Sequence, residues 1–73
     1  MKEKIYSILE ELCPLEDIED ETLLIEMGIL DSLTLLNLID ALEKELKISI
    51  PEDTIKPSNF ATVNSICDWL EKY

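Results

Sequence analysis

Asp31-Ser32-Leu33-Thr34-Leu35-Leu36-Asn37-Leu38-Ile39-Asp40-Ala41-Leu42-Glu43-Lys44-Glu45-Leu46 is the run on which the fold turns. Leu35, Leu38, Ile39, Leu42 and Leu46 recur at helical spacing and mark one buried stripe. Leu33 and Leu36 widen it, so this helix has more apolar surface than a surface helix needs and is expected at the centre of a bundle. Asp31 or Ser32 supplies the N-cap. The pattern stops near Leu46-Lys47, where Ile48-Ser49-Ile50-Pro51 begins. Those β-branched residues have no second strand to pair with and read as an extended connection.

Towards the N-terminus, Ile5, Ile8, Leu9 and Leu12 form the apolar stripe of a first helix over about Lys2 to Cys13. Pro14 ends it, because the residue before a proline is pushed out of the α region. Residues 14–31 have no sustained period and read as a long loop. Leu23, Leu24, Met27, Ile29 and Leu30 are expected to lie across the bundle and hold that loop. Its acid run, Glu16-Asp17-Ile18-Glu19-Asp20-Glu21, lacks the spacing of a calcium loop and reads as a solvated stretch. Towards the C-terminus, Pro51 opens a short helix through Ile55, and Pro57-Ser58-Asn59 breaks the chain again. Thr62 then caps a last helix with Val63, Ile66, Cys67 and Leu70 inward and Trp69 and Tyr73 flanking. The expected fold is all-α, a four-helix bundle of three long helices and one short, in a single domain over residues 1–73.

Composition narrows the function. Seventeen acidic residues against six lysines and no arginine give a net charge of −11. Such a surface is a poor match for nucleic acid or anionic lipid and a good one for basic patches on other proteins. The amino terminus has no signal-peptide pattern and no apolar run is long enough to span a bilayer, so the chain reads as cytoplasmic. Cys13 and Cys67, 54 residues apart within helical patterns, read as reduced, buried thiols. There is no histidine and no close cysteine pair, which leaves neither a metal site nor a histidine-activated nucleophile. A single glycine rules out a phosphate-cradling glycine loop. A chain this short also has little volume for a dry catalytic pocket once its core is filled. The expectation is a protein that is not an enzyme.

Chemistry concentrates at Gly28-Ile29-Leu30-Asp31-Ser32-Leu33, where the loop meets the middle helix. A serine at a helix start is ordinarily a cap. The same position has free backbone N–H groups and the positive end of the helix dipole, which favour a phosphate. A phosphodiester on Ser32 would gain from both, whereas Asp31 beside it opposes that charge and needs a different role.

With these residues the sequence resembles the phosphopantetheine-dependent acyl and peptidyl carrier proteins. The resemblance runs through Asp31-Ser32-Leu33, Leu38 to Leu46, Ile50-Pro51 and Ala61-Thr62-Val63-Asn64-Ser65-Ile66, nearly the whole chain. It implies that Ser32 receives 4′-phosphopantetheine from coenzyme A through a phosphopantetheinyl transferase that needs magnesium. It implies that Asp31 contacts the transferase and its metal. Acyl or aminoacyl cargo would then be held as a thioester and presented to partners: a loading ligase, and downstream transferases or synthases. Leu33, Leu36 and Glu43 on the second helix are the implied partner contacts, and a monomer keeps that face free. Fatty-acid carriers have acidic residues where this chain has Thr34, Asn37 and Lys44. The Gly28-to-Leu33 lead-in and Phe60 look more like D-alanyl carriers or carriers dedicated to secondary pathways, among the fatty-acid, polyketide, non-ribosomal peptide and D-alanine routes the family serves. A different class stays open beside it: an acidic helical adaptor that docks to a basic protein and makes no use of Ser32.

Overall fold

The computed structural model describes residues 2–72, so the flanking position expected for Tyr73 lies outside the described residues. Helix α1 spans Lys2–Leu12, α2 Ser32–Leu46 and α3 Val63–Leu70, with 3-10 turns at Glu52–Thr54 and Pro57–Asn59. The fold is all-helical, with no strand among the described residues. The short fourth helix takes the form of the Glu52–Thr54 turn. Pro57 is the reason: it holds Lys56 extended, at φ −122° and ψ 146°, and any helix begun at Pro51 must stop short of it. Pro57 then starts a second turn where the sequence pattern expected only a break.

Helix α1 packs against both α2 and α3, so the shared position in the bundle belongs to α1 and not to α2. Ile5, Ile8 and Leu9 from α1, Leu38, Ile39 and Leu42 from α2, and Val63, Ile66 and Leu70 from α3 meet in one core. Leu33 and Leu36 do not widen the buried stripe of α2; both face solvent. At about 100° of rotation per residue, Leu36 is turned nearly to the opposite side of the helix from Leu38. Trp69 is a core residue and not a flanking one; its ring lies 4.9 Å from that of Phe60, tilted by 57°. Of the two thiols, both free, Cys67 is buried and Cys13 is half-buried, its sulfur 3.8 Å from the Ile29 carbonyl.

The long loop is held as expected by Leu24, Ile29 and Leu30, all buried. The Leu24 N–H donates to the Ala61 carbonyl at 2.8 Å, and the Leu30 N–H to the Leu24 carbonyl at 3.0 Å. Gly28, at φ +74°, supplies the left-handed residue that turns the chain between them. The acid run departs from the solvated stretch that its spacing implied. Glu16, Asp17 and Glu19 are exposed, but Asp20 and Glu21 fasten the loop. Asp20 accepts from Lys2 Nζ at 3.1 Å and from the Tyr6 hydroxyl, and its carbonyl accepts the Asn64 N–H at 3.2 Å. Glu21 accepts from the Asn64 side-chain amide. These partners lie 14 to 44 residues away, beyond the reach of any local pattern.

Helix α2 ends at Lys47, in the left-handed region at φ 55°. The Lys47 and Ile48 N–H groups both donate to the Glu43 carbonyl. Thr62 caps α3 as the sequence indicates, accepting the Ser65 N–H at 3.1 Å.

Candidate functional site

The start of α2 resolves which of two adjacent residues is the cap. Asp31 has extended backbone, at φ −86° and ψ −178°, and its Oδ1 accepts the Thr34 N–H at 2.8 Å. Its carbonyl accepts the Leu35 N–H at 2.8 Å. That hydrogen bond from the Thr34 N–H is the main reason the Asp31 carboxyl is held below the usual carboxylate range. Capping is thus a role that the structure gives to the acid beside Ser32.

Ser32, the first residue of the helix, is exposed, and among the described residues its hydroxyl has no hydrogen-bond partner. Buried Ile29 and Leu30 anchor the chain just before it and buried Leu38 and Ile39 anchor the helix after it. The hydroxyl is therefore held at a fixed, open point of a packed frame. The chain offers no histidine to take its proton, so a base must come from elsewhere.

A phosphodiester fits at this position: the hydroxyl is primary, unengaged and open to solvent. The helix-end amides contribute less than the sequence pattern promises. The Asp31 carboxylate already takes the Thr34 N–H and draws on that of Leu33, so a phosphate on Ser32 would extend outward more than nestle into the helix end.

The three residues expected to meet partners separate here. Leu33 and Leu36 are 69% and 60% exposed. Glu43 is half-buried, and its Oε2 accepts the Ile50 N–H at 2.8 Å, which ties the 48–50 connection to α2. Nothing in the helical spacing signals a contact seven residues ahead across a turn. Met27, expected to hold the loop, is 68% exposed on the turn that leads into α2 and joins the exposed apolar residues. A cleft of about 210 Å³ between α1 and the 13–18 stretch is lined by Tyr6, Leu9, Cys13 and Ile18 among others, and includes neither Ser32 nor its neighbours. Among the described residues no group of three or more Cys, Asp or Glu is placed to hold a metal ion, and no helix is long and apolar enough to cross a membrane.

Residues 3–70 match the phosphopantetheine attachment site family. The chain is similar to the probable acyl carrier protein PigG of a Serratia species, 41% identical over 57 residues. That match covers 78% of this chain and 66% of PigG, just under two thirds of its length. It is also similar to the acyl carrier protein AsbD of Bacillus anthracis, 31% identical over 75 residues that cover 99% of this chain and 82% of AsbD.

Proposed function

Because the chain belongs to the phosphopantetheine attachment site family, whose members bear covalent 4′-phosphopantetheine, we propose that Ser32 is the attachment residue of a single carrier domain spanning residues 1–73. The observation that carries this is the Ser32 hydroxyl, exposed on the first turn of α2 and released from capping by Asp31. Attachment forms a bond from Ser32 Oγ to the phosphorus that bears the pantetheine of coenzyme A. The bond from that phosphorus to the adenosine bisphosphate leaving group breaks, and the hydroxyl proton passes to a base of the transferase. The attached group supplies a terminal thiol on which acyl or aminoacyl cargo is held as a thioester.

The protein's own residues position and present. Buried Ile29 and Leu30 fix the approach to Ser32, and Asp31 orders the first turn while offering its outer oxygen to the transferase and its metal. Leu33 and Leu36 meet partner enzymes, and Glu43 serves them indirectly by holding the 48–50 connection to α2. Tethering keeps cargo at high effective concentration near each enzyme in turn, and the carrier itself supplies no catalysis. A loading ligase and downstream transferases or synthases are the partners this reading calls for. Neutral Thr34 and Asn37 on α2 support a D-alanyl or secondary-pathway carrier over a fatty-acid one. Two free cysteines support a reducing, cytoplasmic setting.

Incubation with coenzyme A and a promiscuous phosphopantetheinyl transferase tests the assignment by intact mass. One phosphopantetheine is expected on the wild type and on Ser65→Ala, and none on Ser32→Ala. A wild type that stays unmodified, or a modified Ser32→Ala chain, overturns it; the first result would leave the acidic adaptor.

A further inference from the structure

We propose that the cleft between α1 and residues 13–18 receives the ammonium end of an aminoacyl cargo tethered at Ser32. The inference rests on Ser32 being the attachment residue, and it narrows the cargo from acyl or aminoacyl to aminoacyl.

The cleft holds about 210 Å³ and has an apolar floor: Leu9 is buried, and Tyr6, Cys13 and Ile18 are half-buried. Pockets for drug-sized ligands hold roughly 300–1,000 Å³, so the occupant here is small. Glu10, Glu16 and Asp17 stand around the floor. All three are exposed, and among the described residues none of these carboxylates has a hydrogen-bond or ion-pair partner. No lysine lines the cleft, and Lys2, which meets Tyr6 at Asp20, is already paired. The rim carboxylates are not gathered closely enough to share a metal ion. An apolar floor under an unneutralised acid rim fits a small organic cation, its charge at the mouth and its carbon skeleton on the floor.

The place of the cleft says where that cation comes from. Cys13, on its wall, has its sulfur 3.8 Å from the Ile29 carbonyl. Burial first, then the charges of Glu16 and Asp31, push the Cys13 thiol up. One thiol thus stands near both a rim carboxylate and the cap beside Ser32. Ile29 and Ser32 are three residues apart, at most about 11 Å between their Cα atoms. An extended phosphopantetheine arm is longer than that, so cargo at its end can fold back to the cleft. An aminoacyl thioester brings an ammonium beside a short side chain. A long acyl chain brings only methylenes, and laying them beneath the rim would strip water from three carboxylates and pair none of them.

The test loads Ser32 with alanyl or isobutyryl groups from hydrolysis-resistant, amide-linked coenzyme A analogues and follows backbone amide shifts by NMR. The two loads match in shape, with a methyl in isobutyryl where alanyl has its ammonium. At about 0.05 M salt, alanyl is expected to shift the amides of Tyr6, Leu9, Cys13 and Ile18 about threefold more than isobutyryl does. That ratio should fall close to one at about 0.5 M salt, where screening is strong, and in Glu10→Gln/Glu16→Gln/Asp17→Asn. Glu52→Gln/Asp53→Asn/Glu71→Gln removes as much charge outside the cleft and should keep the ratio. The same spectra check that each variant is folded. Equal shifts for the two loads, a ratio that survives in the cleft variant, or one lost alike in both variants overturns the inference while Ser32 still loads. A Ser32 that accepts neither load removes the carrier assignment and this inference together.

Discussion

The two faces of α2 are built from the same residue type and have opposite fates. Leu38 and Leu42 are fully buried against α1, while Leu33 and Leu36, a few residues away, are 69% and 60% exposed. Hydrophobicity therefore does not by itself mark the core of this helix; its rotation relative to α1 does. The inward leucines hold the fold and the outward ones are available for something else. In so small a domain, exposing two leucines on one helix is a costly arrangement for a purely structural element.

The sharpest way to break this contrast is to truncate one leucine from each face. Leu42→Ala is expected to cost about 2–5 kcal/mol in urea unfolding, a large part of the roughly 4–11 kcal/mol available to a chain of this length. Leu36→Ala should stay within about 0.5 kcal/mol of wild type. Equal losses at the two positions would show that both faces serve the core. The two side-chain caps extend the contrast to the helix ends. Thr62 is buried and caps α3 inside the frame, so Thr62→Ala should cost about 1 kcal/mol by the same measurement. Asp31→Asn at the open end of α2 keeps a capping oxygen and should leave unfolding close to wild type.

A smaller effect compares α2 with the fastened half of the loop. The Tyr6 hydroxyl and Lys2 hold the Asp20 carboxyl below the usual range, while burial, then the bond to Asp20, pushes the Tyr6 phenol up to about 12. The lowered carboxyl stabilises the fold fully above its ordinary value of about 3.9, and that share is lost as pH falls through the lowered one. The raised phenol stabilises it fully below its ordinary value of 10.0, and that share is lost as pH rises towards about 12. The melting-temperature difference between wild type and Tyr6→Phe should thus be level from about pH 5 to 9 and shrink at both extremes. A difference independent of pH would mean that the hydroxyl contributes by packing alone.

Most of the architecture was legible because it is written locally. Ile5, Ile8 and Leu9 at helical spacing, Pro14 and Pro57 as stops, and Thr62 as a cap each act within a few residues. The place of Ser32 was legible for the same reason: a loop ending and a helix beginning meet there, with the choice of cap between Asp31 and Ser32 left to the structure. What escaped is non-local. That α1 holds the shared position, that Asp20 and Glu21 reach α1 and α3, and that Glu43 faces the Ile50 amide all depend on segments meeting in space. Leu33 and Leu36 were legible as apolar, but not as outward, because neighbouring positions on an apolar-rich helix leave the direction of burial to the partner helix.

One consequence of Asp31 as the cap concerns what can be attached beside it. Had position 32 capped its own helix, esterifying that oxygen would have taken an acceptor away from the opening turn. With the anchoring acceptor one residue upstream, the opening turn keeps its fastening whether or not the neighbouring oxygen is substituted.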